Sequence, residues 1–109
     1  MIQAAGRYRI VLVTCDSMGE ARSIGRGVVE KKLAACANIV TGVESIYRWK
    51  RKVERTREVL VIMKTSAGRL RELESEVKRM HSYDVPEFVA VPIVAGSREY
   101  LEWIEKNAQ

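Results

Sequence analysis

An α+β fold, with helices stacked on one face of an antiparallel sheet, is predicted by three observations. Strand-like and helix-like patterns follow one another in the order β-α-β-β-α-β, the order of two split βαβ units. The stretch Leu33–Lys64, LAACANIVTGVESIYRWKRKVERTREVLVIMK, reads as a helix end followed by one long β-hairpin. Two other segments carry apolar residues at helical steps of three and four. The expected architecture is a ferredoxin-like βαββαβ sandwich, a single domain over residues 1–109, with a short helix added at the C-terminal end.

Tyr8–Cys15 (YRIVLVTC) is β-branched and apolar on both parities from Ile10 to Val13, as a strand would be. Ser17 opens the first helix, and Glu20, three residues on, completes a capping box. Ala21, Ile24, Val28 and Leu33 mark its buried stripe, so the helix is expected over Ser17–Leu33. Gly25 and Gly27 each cost about 1 kcal/mol of helix propensity, and close approach of the helix to the sheet is the expected reason for them. In the hairpin, Asn38–Trp49 alternates across two faces, Lys50-Arg51-Lys52 forms a polar tip, and Val53–Lys64 returns. Ser66 is a candidate N-cap for a second helix, Arg69–Met80, whose stripe is Leu70, Leu73, Val77 and Met80. His81–Pro86 breaks that helix, and Glu87–Val94 is a further strand in which Pro92 is tolerable only at an edge or bulge. Gly96-Ser97 caps the terminal helix, which carries Tyr100, Leu101, Trp103 and Ile104.

The hairpin is longer than its neighbours can cover. Arms of about 12 residues at roughly 3.3 Å each reach about 40 Å, whereas the two helices reach only about 18–25 Å at 1.5 Å per residue. A ferredoxin-like sheet has helices on one face, so its strands should alternate apolar and polar. Ile10–Val13, Val59–Met63 and Val89–Val91 do not. Their second face has to leave water, and another copy of the chain is the expected cover, through sheets packed face to face or edge to edge.

Composition narrows the function classes. Hydrophobic residues at 47% and charged residues at 30% describe an ordinary globular domain. No stretch approaches the roughly 20 apolar residues of a membrane span, and MIQAAGRYRI lacks the apolar core of a signal peptide, so a cytoplasmic location is expected. Two Asn and two Gln beside 19 basic and 14 acidic residues lean toward a thermostable protein. The net charge of +5 concentrates at Arg48, Lys50, Arg51, Lys52, Arg55 and Arg57, which reads as a solvated tip guarding strand edges. RNA-binding ferredoxin-like domains carry paired aromatics on their strands; Ile10–Thr14 and Val59–Met63 hold none, so nucleic acid is not an expected partner. There is no P-loop, no dinucleotide fingerprint after a strand, and no HExxH zinc motif.

A few residues stand out chemically. Cys15 ends the first strand just before a helix N-terminus, where dipole and free N–H groups favour a thiolate; soft-metal binding and simple packing are both open for it. His81, the lone histidine, follows the second helix as a cap or packing residue, or as a ligand for copper, nickel or zinc beside Cys15 or Met80. Cys36, among small residues, reads as a buried structural thiol, and Asn38 as a partner of local backbone. Trp49, Lys64, Tyr83 and Glu87 read as interface or cleft residues, with Trp49 suited to dock on a neighbouring subunit and Lys64 and Glu87 to form a charge pair or line a cleft.

VLVTC (Val11–Cys15), KLAACANIVTGVESIYRWKRKVE (Lys32–Glu54), EVLVIMKT (Glu58–Thr65), HSYDVPE (His81–Glu87) and YLEWI (Tyr100–Ile104) resemble the CutA family of divalent-cation tolerance proteins. The resemblance runs from about Tyr8 to Lys106 and rests on Leu-Ala-Ala-Cys-x-Asn, Ile-Tyr-x-Trp and Val-Pro-Glu in order and spacing. It implies a homotrimer with hairpins packed across neighbours, a role in tolerance to copper and other divalent metals, and no enzymatic activity. It also implies metal ligation by a Cys at the end of the first strand and His residues at the end of the second helix, positions matched here by Cys15 and His81. Met80 stands where some members have a second His, so Cu²⁺ or another divalent cation is expected to bind weakly, with no organic cofactor. Asp16-Ser17-Met18 replaces Pro-Asp-Glu, Ser82 replaces a usual Pro, and Arg51 replaces a usual Gly. At positive φ, Arg51 would cost about 1 kcal/mol.

The expected function is that of a non-enzymatic trimer of metal tolerance with a signalling or adapter role and an unidentified protein partner. Two rivals accompany it: a trimer of the nitrogen-regulatory PII type holding anionic ligands between subunits, with the basic tip and Lys64/Glu87 as clues, and a small hydrolase or isomerase using Glu87 and His81.

Overall fold

The computed structural model describes residues 1–109. Its elements are β1 (Ile2–Ala4), β2 (Tyr8–Cys15), α1 (Met18–Glu30), β3 (Cys36–Trp49), β4 (Lys52–Ser66), α2 (Leu70–Met80, preceded by a 3₁₀ turn at Ala67–Arg69), β5 (Val89–Pro92), β6 (Ala95–Ser97) and α3 (Arg98–Asn107). The main sheet has the order β3-β4-β2-β5, antiparallel throughout, which is the ferredoxin-like arrangement. Helices α1 and α2 cover one face. Val11, Val13 and Cys15 of β2 stand opposite Met63, Val61 and Val59 of β4, and these six join Ile24, Val28, Leu73 and Val77 in the core. A smaller cluster under α3 contains Tyr8, Ala35, Leu101 and Ile104. No helix is long and apolar enough to cross a membrane.

Helix α1 stops at Glu30 rather than Leu33 because Lys32 turns left-handed (φ 60). The Leu33 N–H then donates to Val28 O (2.9 Å) and the Lys32 N–H to Val29 O (3.0 Å), a Schellman closure. Leu33 still belongs to the apolar stripe, as the residue that packs back onto the helix end from outside it. The two glycines have different reasons. A Cβ on Gly25 would sit 3.2 Å from the Ala37 Cβ, so this glycine does let α1 approach the sheet, but one on Gly27 would meet Met80 of α2 instead. At the start of α2, Ser66 is not a side-chain cap; its hydroxyl donates to Ala108 O and ties α3 to β4 (3.1 Å). Ser97 does cap α3, accepting from the Tyr100 N–H (3.3 Å).

The hairpin is the longest element. A bulge between Val40 and Val43, with Gly42 at φ 74, increases its twist midway. The turn is two residues, Lys50 (φ 51) and Arg51 (φ 67), with Lys52 already paired to Trp49. Two positive φ values are what a type I′ turn requires, and side chains there cost about 1 kcal/mol or more apiece. From Val43 to Arg57 no residue is buried, and the molecule measures 46 × 24 × 22 Å. The ribbon does outrun its helices.

Strand β5 is shorter than the expected Glu87–Val94. Pro92 ends the pairing on this edge strand, opposite Arg9, and the chain then turns so that β6 pairs with β1, a two-stranded sheet that the N-terminal sequence did not announce. The face of the main sheet away from the helices carries Ile10, Leu12, Leu60, Ile62, Val40, Val89 and Val91, with Val40, Val89 and Val91 exposed.

Candidate functional site

Three polar side chains converge where β2 ends, α1 begins and α2 ends. Cys15 is fully buried beneath the first turn of α1. Ser17 Oγ accepts the Glu20 N–H (3.1 Å), the first half of the expected capping box, but the Glu20 carboxylate does not complete it. Instead Glu20 Oε2 accepts the Ser82 N–H (2.8 Å), and Oε1 lies 3.8 Å from His81 Nδ1, buried and without a hydrogen-bond partner. His81 ends α2, its N–H donating to Val77 O (2.9 Å), so it is also the cap that position suggests. Its ring is shut in: Nε2 donates to Thr14 O (2.8 Å), and Nδ1 accepts the Tyr83 N–H (3.1 Å). One ligand atom each from Cys15, Glu20 and His81 lie within 4.8 Å of one another.

Sulfur, carboxylate oxygen and imidazole nitrogen form a donor set suited to borderline and soft divalent metals, with room in a tetrahedral shell for one more ligand. The unpartnered Glu20 oxygen is a vacancy in the hydrogen bonding that a cation would fill, so these residues fit a metal. Cys15 is not the thiolate that the helix N-terminus suggested. Burial, and then the charges of Glu20, Asp16 and Glu58, push its thiol up to about 12. Met80 offers no softness here, since it packs in the seam between α1 and α2 against Gly27.

Beside this cluster, on the other side of the sheet end, lies a cleft of about 560 Å³ lined by Thr14, Ser45, Ile46, Tyr47, Trp49, Glu58, Tyr83, Asp84, Val85 and Glu87. Trp49, Tyr83 and Glu87 therefore line one cavity. Lys64 does not join them. It sits in register with Ile10 and Cys36, toward the opposite end of the sheet from Glu87, and its Nζ donates to Asn38 Oδ1. Strand β2 separates β4 from β5, so the proposed Lys64–Glu87 pair is not formed. Asn38 is thus bound to a side chain rather than to local backbone, and Cys36 is half-buried rather than buried, its Sγ 3.8 Å from Tyr100 Oη.

The Tyr83 hydroxyl donates to Glu58 Oε2 (2.8 Å), and burial, followed by that bond and the Glu58 charge, holds the phenol well above its ordinary value. Glu87 is pushed up by burial first and by Glu58 second. No Lys, Arg or His lines the cleft, and its charged lining residues are Glu58, Asp84 and Glu87. His81 and Glu87 do not share a cavity, and both His81 nitrogens are engaged, so the acid–base pairing suggested for a hydrolase is not assembled. The cleft and the cluster are nonetheless joined: the His81 and Tyr83 rings lie 4.7 Å apart, and Tyr83 links His81 Nδ1 to Glu58.

Glu20 and Glu58 are the site residues that sequence reasoning passed over. Glu20 looked fully accounted for as a capping residue. Glu58 looked like one more polar residue of the return arm, although its parity, shared with Leu60 and Ile62, places a carboxylate on the apolar face of the strand.

Residues 9–107 match the family model described as CutA1 divalent ion tolerance protein. The chain is 47% identical over 98 residues to the divalent-cation tolerance protein CutA of Thermus thermophilus, covering 90% of this chain and 95% of that one. It is 42% identical over 100 residues to the chloroplastic protein CutA of Arabidopsis thaliana, covering 92% of this chain and 55% of that longer protein. The solved structure of the Thermus thermophilus divalent cation tolerance protein superimposes with a TM-score of 0.92 at 45% identity, over 94% of this chain and 99% of that one. With its ferredoxin-like sheet and long hairpin, the chain belongs to the CutA1 family of divalent ion tolerance proteins.

Proposed function

We propose that the protein is a non-enzymatic homotrimer of divalent-cation tolerance, with copper foremost among its cations, which binds the cation weakly at Cys15, Glu20 and His81 and signals occupancy through the loop that follows. The observation that carries this reading is the convergence of those three ligand atoms around a buried carboxylate oxygen that lacks a partner. Weak binding follows from what a cation has to displace. The Cys15 sulfur is fully buried, and the Nδ1 lone pair of His81 is already taken by the Tyr83 N–H.

The adapter role rests on the same bond. A cation that takes Nδ1 releases the Tyr83 N–H, and residues 82–87 are held there by this bond, by the Glu20–Ser82 bond and by Tyr83–Glu58. Those residues form one wall of the cleft, so occupancy at the buried cluster is read at the surface. The assembly is proposed from the apolar open face and the uncovered ribbon; the number three comes from the family resemblance.

Calorimetric titration of Cu²⁺ and Zn²⁺ into the wild type, Glu20→Gln and Cys15→Ala/His81→Ala tests the reading. Loss of at least about tenfold in affinity, equivalent to 1.4 kcal/mol, is expected in both variants. Unchanged affinity in the double variant excludes these ligands.

A further inference from the structure

The whole net charge of the chain sits on its ribbon. From Arg48 to Arg57 there are six basic residues and one acid, Glu54, a net +5 that equals the charge of the entire chain. None of the six forms an ion pair within its own chain. Three of them share a surface with the exposed aliphatic residues. Tyr47 and Trp49 of β3 and Glu58 of β4 line the cleft, so Arg48, Arg55 and Arg57, at the alternate positions, point to the other face of the ribbon. On that face Arg48 stands opposite Val53, Arg55 opposite Ile46 (which also reaches the cleft), and Arg57 opposite Glu44. Directly opposed side chains lie ~4.5–5.5 Å apart at Cβ. Ile46 and Val53, 65–66% exposed, therefore make one surface with the three arginines. Whatever covers the aliphatic pair covers the guanidinium groups too, and a guanidinium taken out of water without an anion is costly. The covering surface has to be acidic as well as apolar.

Another copy of the chain carries such a surface. Asp84 and Glu87 are exposed at the cleft, Val85 between them is 72% exposed, and Glu58 stands behind them, held by the Tyr83 hydroxyl. None of these three acids has an ion-pair partner in its own chain. The chain's own ribbon does not supply one, because its arginines point away from its own cleft. Two unlike, complementary patches on one chain make a head-to-tail contact, which repeats from copy to copy and closes into a ring.

We propose that the arginine face of one copy's ribbon, Arg48, Arg55 and Arg57, seats on the acidic cleft of the next copy, pairing with Asp84 and Glu87 while Ile46 and Val53 pack against Val85. This inference rests on the assembly proposed above and adds to it the charges that decide which patch meets which. The cleft is then an intersubunit surface, completed by side chains of the neighbouring ribbon. Paired charges of this kind fix register and exclude wrong partners, since like charges brought together repel.

The experiment is subunit exchange between donor- and acceptor-labelled assembled protein, read by resonance energy transfer, with sedimentation velocity alongside. Arg55→Glu/Arg57→Glu and Asp84→Lys/Glu87→Lys are each expected to speed exchange at least about tenfold, or to abolish assembly. The chain carrying all four substitutions has its charges exchanged rather than removed, and its exchange rate is expected to return to within about threefold of the wild type. Far-ultraviolet dichroism checks folding. Should a reversed variant fail to fold, Arg55→Gln/Arg57→Gln and Asp84→Asn/Glu87→Gln take their places in a double-mutant cycle, with a coupling of at least about tenfold expected. An assembled wild type whose reversed variants exchange at its own rate overturns the proposal and leaves the assembly standing, as does a fourfold variant no better than the two reversals. A wild type that sediments at 12.4 kDa overturns the assembly itself, and the pairing with it.

Discussion

Replacing Val89 and Val91 by lysine perturbs the sheet face that the helices leave open, without touching the core. In one copy of the chain Val40, Val89 and Val91 are 40–49% exposed, and Ile46 and Val53 on the ribbon are 65–66% exposed. Fully burying an aliphatic side chain is worth about 1.5–3 kcal/mol, so each of these leaves on the order of 1 kcal/mol unrealised, and the five together on the order of 5 kcal/mol per chain. That is comparable to the whole folding margin of a typical domain, about 5–15 kcal/mol. Assembly with further copies of the chain would recover it.

Val89→Lys/Val91→Lys removes about 2 kcal/mol of that gain per chain and adds two charges to a surface that assembly would dehydrate, each worth several kcal/mol if unpaired. Loss of at least about 4 kcal/mol per contact weakens association on the order of a thousandfold. Sedimentation velocity at micromolar protomer is the assay: the wild type is expected as a trimer, and the variant as a folded 12.4 kDa particle with unchanged far-ultraviolet dichroism. A wild type that sediments at 12.4 kDa under those conditions would refute the reasoning, as would a variant that still assembles with undiminished affinity.

Three further expectations follow from the same coordinates of charge and backbone. Lys50→Asn/Arg51→Gly supplies the residues that a type I′ turn prefers and should stabilise the protein by about 1–2 kcal/mol, read from urea unfolding at fixed protomer concentration; a lower midpoint would contradict the left-handed turn. At pH 8 a thiol-reactive disulfide reagent should label Cys36 alone in the native state and both cysteines in denaturant, because Cys15 is buried and its thiol is pushed up to about 12. Two rapidly labelled thiols per native chain would count against that burial. Glu76 is held at about 2 by hydrogen bonds from Arg79 and then Lys31. A folded value below the unfolded ~4.3 contributes stability above that unfolded value and loses it as pH falls toward 2. The melting temperature of the wild type should therefore drop more steeply over that window than that of Glu76→Gln, and parallel curves would exclude the contribution.

Most of the scaffold could be read from one-dimensional pattern because it depends on local spacing. The parity of Val11, Val13 and Cys15 against Val59, Val61 and Met63, the helical steps of Leu70, Leu73 and Val77, and the uncovered length of the hairpin all follow from side-chain periodicity and rise per residue. Cys15 and His81 were likewise visible as residue types at element ends, and the structure brings them together with a third partner. Their electrostatic condition was not visible. A helix N-terminus argues for a thiolate, but three carboxylates and complete burial, contributed by segments 20 and 58 as well as 16, reverse the sign.

What the chain order alone determined, then, is which faces are apolar, where the helices and the four strands of the main sheet start within a few residues, and that a single copy leaves too much ribbon in water. Only the tertiary structure decided which polar groups meet. It turned Glu20 away from its cap and toward His81, sent Lys64 to Asn38 instead of Glu87, and set Glu58 under Tyr83 at the mouth of an acidic cleft. Periodicity specifies the face on which a side chain lies. Contacts between residues about 25 or 60 positions apart depend on sheet order and on how one loop crosses a strand end, and no spacing within a single segment encodes those.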